Sequence, residues 1–309
     1  MVILKFEVLE KEYSMNVGAK FDRFLSNIQL TDAQIVDAHS KHERVRDVLK
    51  RHYYMPGYSG LTSVLIGSYG KDTSCRPPTD VDILFIMPSY LFSKYNTYGT
   101  NGPSRLLQDI KEVLRATYPN TTMSGDGQVV VVSFSGSFRV EVAPVFRLDY
   151  SDVFSTPNTH GGGSWKTTNP TAEKNNITSC NAISGGKATH LIKMIKVWKH
   201  VCNVPIKSFV LELLSVDFVK QWTYRDKTSF YYDYLVRDFL DYLILKKNSY
   251  VIIPGINEFL NIGDEWVSKA TTALDNAKTA CLNEAESSET ADITANIFWK
   301  KIFGDFFKG

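Results

Sequence analysis

Two aspartates one residue apart open an apolar run, Asp80-Val81-Asp82-Ile83-Leu84-Phe85-Ile86, and upstream a second apolar run (Leu61, Val64, Leu65, Ile66) ends in Gly67-Ser68. Side chains alternate along a strand, so a strand here sets Asp80 and Asp82 on one face and Val81 and Ile83 on the other. Adjacent carboxylates repel each other and are costly unless a cation lies between them. Oxygen ligands of this kind suit a hard divalent ion, Mg²⁺ or Mn²⁺, which usually arrives with substrate phosphates. A Gly-Ser turn offers backbone N–H groups and a hydroxyl that can hold a phosphate. A lone Asp-x-Asp opens many surface strands. The whole order, with its Pro77-Pro78 spacer, predicts the site of a metal-dependent nucleotidyltransferase.

With these motifs the chain resembles the polymerase-β-type nucleotidyltransferases. Within them it is most similar to the bacterial relatives of cGAS and oligoadenylate synthetase, the CD-NTases or SMODS-type cyclic oligonucleotide synthetases. Their Gly-Ser and Asp-x-Asp motifs match Gly67, Ser68, Asp80 and Asp82. The resemblance implies an α+β, bilobal fold: a polymerase-β-like core of mixed β-sheet and helices, then a helical C-terminal lobe.

Glu141 is the one acid inside the run Val140-Glu141-Val142-Ala143-Pro144-Val145-Phe146. A carboxylate aimed at a core needs a partner, and a metal at Asp80 and Asp82 would be one. On a half-exposed strand it would simply face water. The family places its third carboxylate in a V-D/E-x-x-P-x-F strand, and that match implies that Glu141 completes the set. The position is often Asp, so the extra methylene of Glu bears on the geometry of the hydroxyl-activating ion.

Further residues take roles from the same resemblance. Gly161-Gly162-Gly163-Ser164-Trp165, followed by Asn169-Pro170, is similar to a loop bordering the nucleotide pocket, with Ser164 as a contact and Trp165 as packing. In Lys187 to Val201 the apolar face is Leu191, Met194, Ile195 and Trp198, and Lys196 matches the lysine that reaches the triphosphate. Ser208 and Phe209 match a helix start whose serine meets phosphate and whose aromatic ring stacks on a base. A serine at a helix N-terminus suits an anion on general grounds. Exposed lysine and packed phenylalanine are the plainer alternatives.

The elements that must hold these residues follow from periodicity and caps. Phe21, Phe24, Leu25 and Ile28 fall at helical spacing, and Thr31-Asp32-Ala33-Gln34 has the form of a capping box opening a helix through Leu49. The resemblance makes that second helix the spine bracing both lobes. Pro103 opens a helix with the stripe Leu106, Leu107, Ile110, Val113 and Leu114. Gln128 to Phe134 and Ser137 to Phe146 read as a hairpin across Ser135-Gly136-Ser137, and residues 156–170 as a loop. From about Glu173 the pattern is helical, ending in an Ala-rich helix to Glu284 and an amphipathic helix from Ile293 to Phe303. The expected division is a spine and catalytic lobe over 1–172 and a helical lobe over 173–309, with residues 1–14 an unplaced extension.

The 309 residues are 43% hydrophobic and 22% charged, a composition that can bury a large core or two small ones. A net charge of +2 excludes a global basic field. A local patch remains: Lys41, Arg44 and Arg51 on the outer face of the second helix, where eukaryotic relatives meet double-stranded nucleic acid. That reading, RNA activation, competes with a solvated face interspersed with Glu43 and Asp47. Cys75, Cys180, Cys202 and Cys281 lack a CxxC spacing, so a disulfide framework or zinc ribbon is not expected, and Cys180, His190, His200 and Cys202 read as packing. No apolar run approaches ~20 residues and no signal peptide is apparent, which points to the cytoplasm and no membrane.

The resemblance further implies ATP, with GTP, UTP or CTP as further substrates, made into a cyclic di- or trinucleotide second messenger by two Mg²⁺ ions (or Mn²⁺) in antiphage signalling. It implies a separate effector protein that binds the product and, for a chain ending in Lys308-Gly309, conjugation through the C-terminus. The alternatives are a nucleotidyltransferase acting on RNA, protein or a small molecule, and an inactive nucleotide-binding regulator.

Overall fold

The computed structural model describes residues 15–78, 80–134, 138–149 and 152–308. The expectations for residues 1–14, for the turn Ser135-Gly136-Ser137 and for Gly309 lie outside the described residues.

The chain opens with two helices, α1 (Met15–Ile28) and α2 (Asp32–Tyr53). Thr31 caps α2: its Oγ1 accepts from the Gln34 amide at 3.3 Å while the Gln34 side chain accepts from the Thr31 amide at 3.0 Å, the capping box read from sequence. Then come β1 (Ser63–Leu65), the single turn α3 (Gly67–Gly70), β2 (Val81–Ile86), α4 (Leu91–Asn96) and α5 (Gly102–Thr117). Strands β3 (Thr122–Asp126), β4 (Val129–Ser133), β5 (Arg139–Arg147), β6 (Phe154–Asn158) and β7 (Ser164–Thr168) complete a sheet. The helical part holds α6 (Pro170–Ser184), α7 (Lys187–Val201), α8 (Ser208–Gln221), α9 (Tyr232–Leu245), α10 (Val267–Glu284) and α11 (Glu289–Phe303), with a small hairpin of β8 (Tyr250–Ile252) and β9 (Phe259–Asn261).

Among the described residues the sheet has seven strands in the order β1-β2-β5-β4-β3, with β6 on β5 and β7 on β6. It is mixed: β2 and β5 run parallel, and the other pairs are antiparallel. Alternation sorts β2 into two faces. Val81, Ile83 and Phe85 pack with Ala38, Val45 and Leu49 of α2 and Leu106, Ile110 and Leu114 of α5. Leu84 and Ile86 point the other way, onto Val145 and Phe154. Asp82 shares their face.

A second core fills the helical part, around Leu191, Met194, Ile195 and Trp198 of α7. It also takes in Val17, Phe21, Phe24 and Ile28 of α1, whereas the buried apolar residues of α2 all lie in the sheet core. The pair α1–α2 therefore reaches both cores, each helix serving one; α2 alone does not brace both. An ion cluster fixes α1 from beneath: Lys20 Nζ meets both Glu284 carboxylate oxygens at 2.9 Å and Asp292 at 2.7 Å, and Trp299 Nε1 donates to Glu284 at 3.2 Å.

Several elements differ from expectation. Residues 156–170 are mostly the hairpin β6–β7, whose turn is set by Gly161, Gly162 and Gly163 at φ +63, +90 and +90. The glycines read as a loop, but the β-branched Thr156, Thr167 and Thr168 around them carry strands. α11 begins at Glu289 rather than Ile293, because the Ser288 hydroxyl caps the Ala291 amide at 3.1 Å. Lys41 is not on an outer face. It is buried, paired with Asp37 at 2.5 Å and lying 5.1 Å above the Phe138 ring. Arg44 and Arg51 are exposed.

Candidate active site

The parallel pairing of β2 and β5 sets Asp82 directly opposite Glu141. Opposed residues on neighbouring strands project from the same face, so the two carboxylates stand side by side. The repulsion is legible in the acidity of Asp82. Asp82 is pushed up to about 7, first by burial, then by Glu141 and Asp80, against the pull of Lys71 and Lys196. Glu141 is raised as well, by burial and by Asp80. Asp80, just before β2, is engaged: Arg139 forks onto it with Nε–Oδ1 and Nη2–Oδ2 both at 2.8 Å. Among the described residues no three His, Cys, Asp or Glu side chains are already gathered as a metal cage.

Gly67 opens α3 directly after β1, where the Ile66 amide donates to the Asp82 carbonyl at 3.0 Å. This brings the first turn of α3 against the start of β2. Gly67 has φ +57, and a Cβ there would collide with Asp82 Oδ2. Only glycine meets both demands, a left-handed backbone and a carboxylate against its Cα.

A cavity of about 620 Å³ opens beside Asp82. Gly67, Ser68, Asp82, Lys196, Ser208 and Phe209 line it, so residues from both halves of the chain meet there. Asp80 and Glu141 are beside this wall rather than among its lining residues. Ser164 is elsewhere. It is exposed at the start of β7, its hydroxyl accepting from Asn158 Nδ2 at 3.0 Å. Gly163 is wedged against the Thr100 carbonyl, and Trp165 packs on Phe92 and Phe146 with ring centroids 5.2 and 5.8 Å away. Ser164 is not among the residues that line this cavity, where the resemblance implies a pocket contact. A second cavity, about 560 Å³, lies between α2 and α5 and holds none of these groups.

The cavity also contains residues to which the sequence assigned no role in the site: Lys71, Thr73, Glu173, Lys199 and Glu212, along with His200, which reads there as packing. One signal was present for Glu212, an acid inside the apolar run Phe209 to Leu214, the same signal that picked out Glu141. Lys71 and Glu173 carried none. They are 102 residues apart, joined only by the fold, with Lys71 Nζ to Glu173 Oε2 at 3.1 Å.

The donor set has the chemistry of a hard-cation site. Asp82 and Glu141 put carboxylate oxygens together in a partly buried place, and their raised pKa values reflect that burial first and neighbouring carboxylate charge second. Cationic and hydroxyl groups line the adjoining cavity, as a polyphosphate requires.

Comparison with known proteins agrees with this arrangement. Residues 15–181 match the Second Messenger Oligonucleotide or Dinucleotide Synthetase domain, SMODS, over more than half of the chain. The chain is similar to the "Cyclic AMP-AMP-AMP synthase" of an Acinetobacter strain, 23% identical over 96% of this chain and 87% of that one. It is similar to the "Probable cyclic nucleotide synthase IK1_05630" of Bacillus cereus, 23% identical over 81% and 83%. In fold it matches CdnC of E. coli MS115-1, solved in complex with HORMA-deltaN: TM-score 0.68, 19% identity, covering 94% of this chain and 98% of that one. The same CdnC, solved with ATP, superposes with TM-score 0.66 at 19% identity over the same shares of the two chains. With a mixed sheet bearing paired carboxylates and a family domain spanning most of that sheet, the chain belongs to the SMODS family of CD-NTases and is a nucleotidyltransferase.

Proposed function

We propose that this enzyme joins nucleoside triphosphates, with ATP as the principal substrate, into a cyclic di- or trinucleotide second messenger. The observation that carries the proposal is the register of β2 and β5. It sets Asp82 against Glu141 at the wall of a cavity that also holds Lys196 and Ser208. The cyclic trinucleotide synthase among the relatives and the ATP-bound CdnC support the same reading.

In the reaction a ribose hydroxyl attacks an α-phosphorus, a phosphodiester forms and pyrophosphate leaves. The linear product then rebinds and its free hydroxyl closes the ring in a second such step. Asp80, Asp82 and Glu141 would hold Mg²⁺, two ions in all, or Mn²⁺ in their place. When bound, these ions acidify the attacking hydroxyl and offset charge on the triphosphate and departing pyrophosphate. Asp80 must exchange its Arg139 partner to take part. The turn at Gly67 and Ser68 orients the phosphates, and Lys196 and Ser208 offset their charge. Phe209, whose ring has the Lys71 ammonium 4.8 Å from its centroid, lines the cavity and would stack on a base there.

The division near residue 172 follows these roles: the sheet lobe carries the carboxylates and the helical lobe the lysine and serine, with α1 counted by its packing in the helical core. No helix among the described residues is long and apolar enough to cross a membrane. We assign the product to a separate effector protein in a cytoplasmic antiphage response, on the strength of the family resemblance.

The test is incubation with labelled nucleoside triphosphates and Mg²⁺, phosphatase treatment and mass analysis. A phosphatase-resistant cyclic product is expected with no added acceptor, and none from Asp82→Ala. Turnover retained by that variant, or product only with a macromolecular acceptor, refutes the reading.

A further inference from the structure

Five polar side chains form a connected cluster at the floor of the cavity. Glu212 on α8 is at its centre. One carboxylate oxygen meets Lys71 Nζ at 2.5 Å, and the other is 3.7 Å from Lys196 Nζ on α7. Lys71 also meets Glu173 on α6 at 3.1 Å. Lys196 donates to the Thr73 hydroxyl at 2.9 Å and to its carbonyl at 3.2 Å, and that hydroxyl donates to Glu212 at 3.3 Å. Glu212, Lys71 and Thr73 are 4%, 7% and 0% exposed.

A buried ion cluster between two halves of a chain is ordinarily a tether. Three observations tie this one to the cavity. All five residues line it, together with Asp82 and Ser208. Both lysines act at Asp82, where each favours the charged carboxylate. And the two ammoniums are held near each other, which is unfavourable without a shared anion. Burial pushes Lys196 down, and Lys71 adds to that, while Glu212 opposes it. For Lys71 burial works the same way, but Glu212 and Glu173 outweigh it and hold the ammonium above its ordinary range. Without Glu212 two buried lysines would face each other with Glu173 as their remaining partner in the cluster.

We propose that Glu212 is a positioning residue that fixes Lys71 and Lys196 side by side as one receptor for the polyphosphate of the incoming nucleotide, which makes Lys71 a second phosphate-binding lysine. The inference rests on the cavity being the nucleoside triphosphate site. It also opposes simple electrostatics: removing an anion from an anion site should tighten binding, whereas losing a positioning anion weakens it.

The experiment is calorimetric titration of tripolyphosphate and of α,β-methylene-ATP, each with Mg²⁺, into the full chain. Wild type is compared with Glu212→Gln, Glu212→Asp, Lys71→Met and Lys196→Met, and melting temperatures are recorded alongside. Glu212→Gln is expected to weaken both probes about tenfold or more, with Glu212→Asp recovering most of the loss. Lys71→Met is expected to weaken them by a similar factor, and the double substitution Glu212→Gln/Lys71→Met by no more than either alone, because the residues act as one unit. Unchanged or tighter binding in a folded Glu212→Gln protein overturns the proposal. So does a lowered melting temperature with unchanged affinity, which is the signature of a tether. If Glu212→Gln does not fold, Lys71→Met decides: affinity equal to wild type overturns the assignment. If wild type binds neither probe, or Lys196→Met binds both as tightly as wild type, the reading of the cavity itself fails, and the positioning role with it.

Discussion

Residue type and spacing carried the centre of the site. Asp80 and Asp82 were legible because a strand must put them on one face, and Glu141 because an acid inside an apolar run has to be accounted for. Gly67 has the sharpest constraint. With φ +57 and Asp82 Oδ2 against its Cα, it has no room for a methyl group. Gly67→Ala is expected to displace the Asp82 carboxylate and lower the turnover number by about a hundredfold, since small misplacements of reacting groups carry costs of that order. It should also lose about 1–3 kcal/mol of stability to the strained backbone. Steady-state kinetics and a denaturant melt check both, and near-normal turnover would mean that Asp82 tolerates the shift. The residues that escaped sequence reasoning did so for a physical reason. Lys71, Glu173 and Glu212 join Lys196, itself read from the sequence, only through four separate elements, and no local pattern encodes that meeting. Lys41 misled in the opposite direction: a lysine on a charged-looking helix lies over an aromatic ring and snorkels to Asp37.

Elements with strong local signals were read closely. The capping box of α2 and the apolar stripe of α7 are such signals, and both helices lie where they point. The strands that escaped are short and lack clean alternation: β3 is mostly exposed and holds a glycine, and β8 and β9 have three residues each. What periodicity did not show was the destination of α1. Its apolar face packs in the helical core, and Lys20 passes its ammonium to Glu284 and Asp292 at the α10–α11 corner. Lys20 and Glu284 have side chains only 1% and 3% exposed. Lys20→Met leaves a buried carboxylate with the Trp299 indole as its remaining hydrogen-bond donor in this cluster, and burial already raises the pKa of Glu284. A loss of about 3–5 kcal/mol in unfolding free energy is expected, measured from denaturant midpoints. A loss below about 1 kcal/mol would show that α1 is held by its aromatic contacts alone.

Each core carries one histidine whose protonation the folded chain resists. His42 shares a 2.8 Å hydrogen bond with Ser63 beside the sheet, and His190 one of 2.6 Å with Tyr232 in the helical part. Burial lowers both from 6.5, helped by Arg46 and His39 at His42, and by Lys193 and Lys187 at His190. The sign follows from proton uptake. Below 6.5 the unfolded chain binds protons that the native chain refuses, so stability is full above 6.5 and is lost as pH falls toward the native values. Between about pH 7.5 and about pH 5.5 the two histidines should therefore drive a decline in unfolding free energy of at most about 1.4 kcal/mol per pH unit each, set against an opposing rise from Asp82, which at about 7 takes up its proton in the native chain only. His42→Gln and His190→Gln should each flatten the decline. If the two cores unfold together, both substitutions flatten one shared transition; separate transitions, each altered by one substitution only, would show two independent units.

The packing of α1 also bears on how the chain is made. Phe21 has its ring 5.1 Å from Trp299 and 5.4 Å from Phe307, and Phe24 has its ring 4.5 Å from Phe303. During synthesis those first aromatic side chains leave the ribosome well before the rings that cover them exist. The sheet can assemble in the meantime, but the helical body has a gap along α1 until α11 and Phe307 have emerged, so translation must pass residue 307 before that body can close.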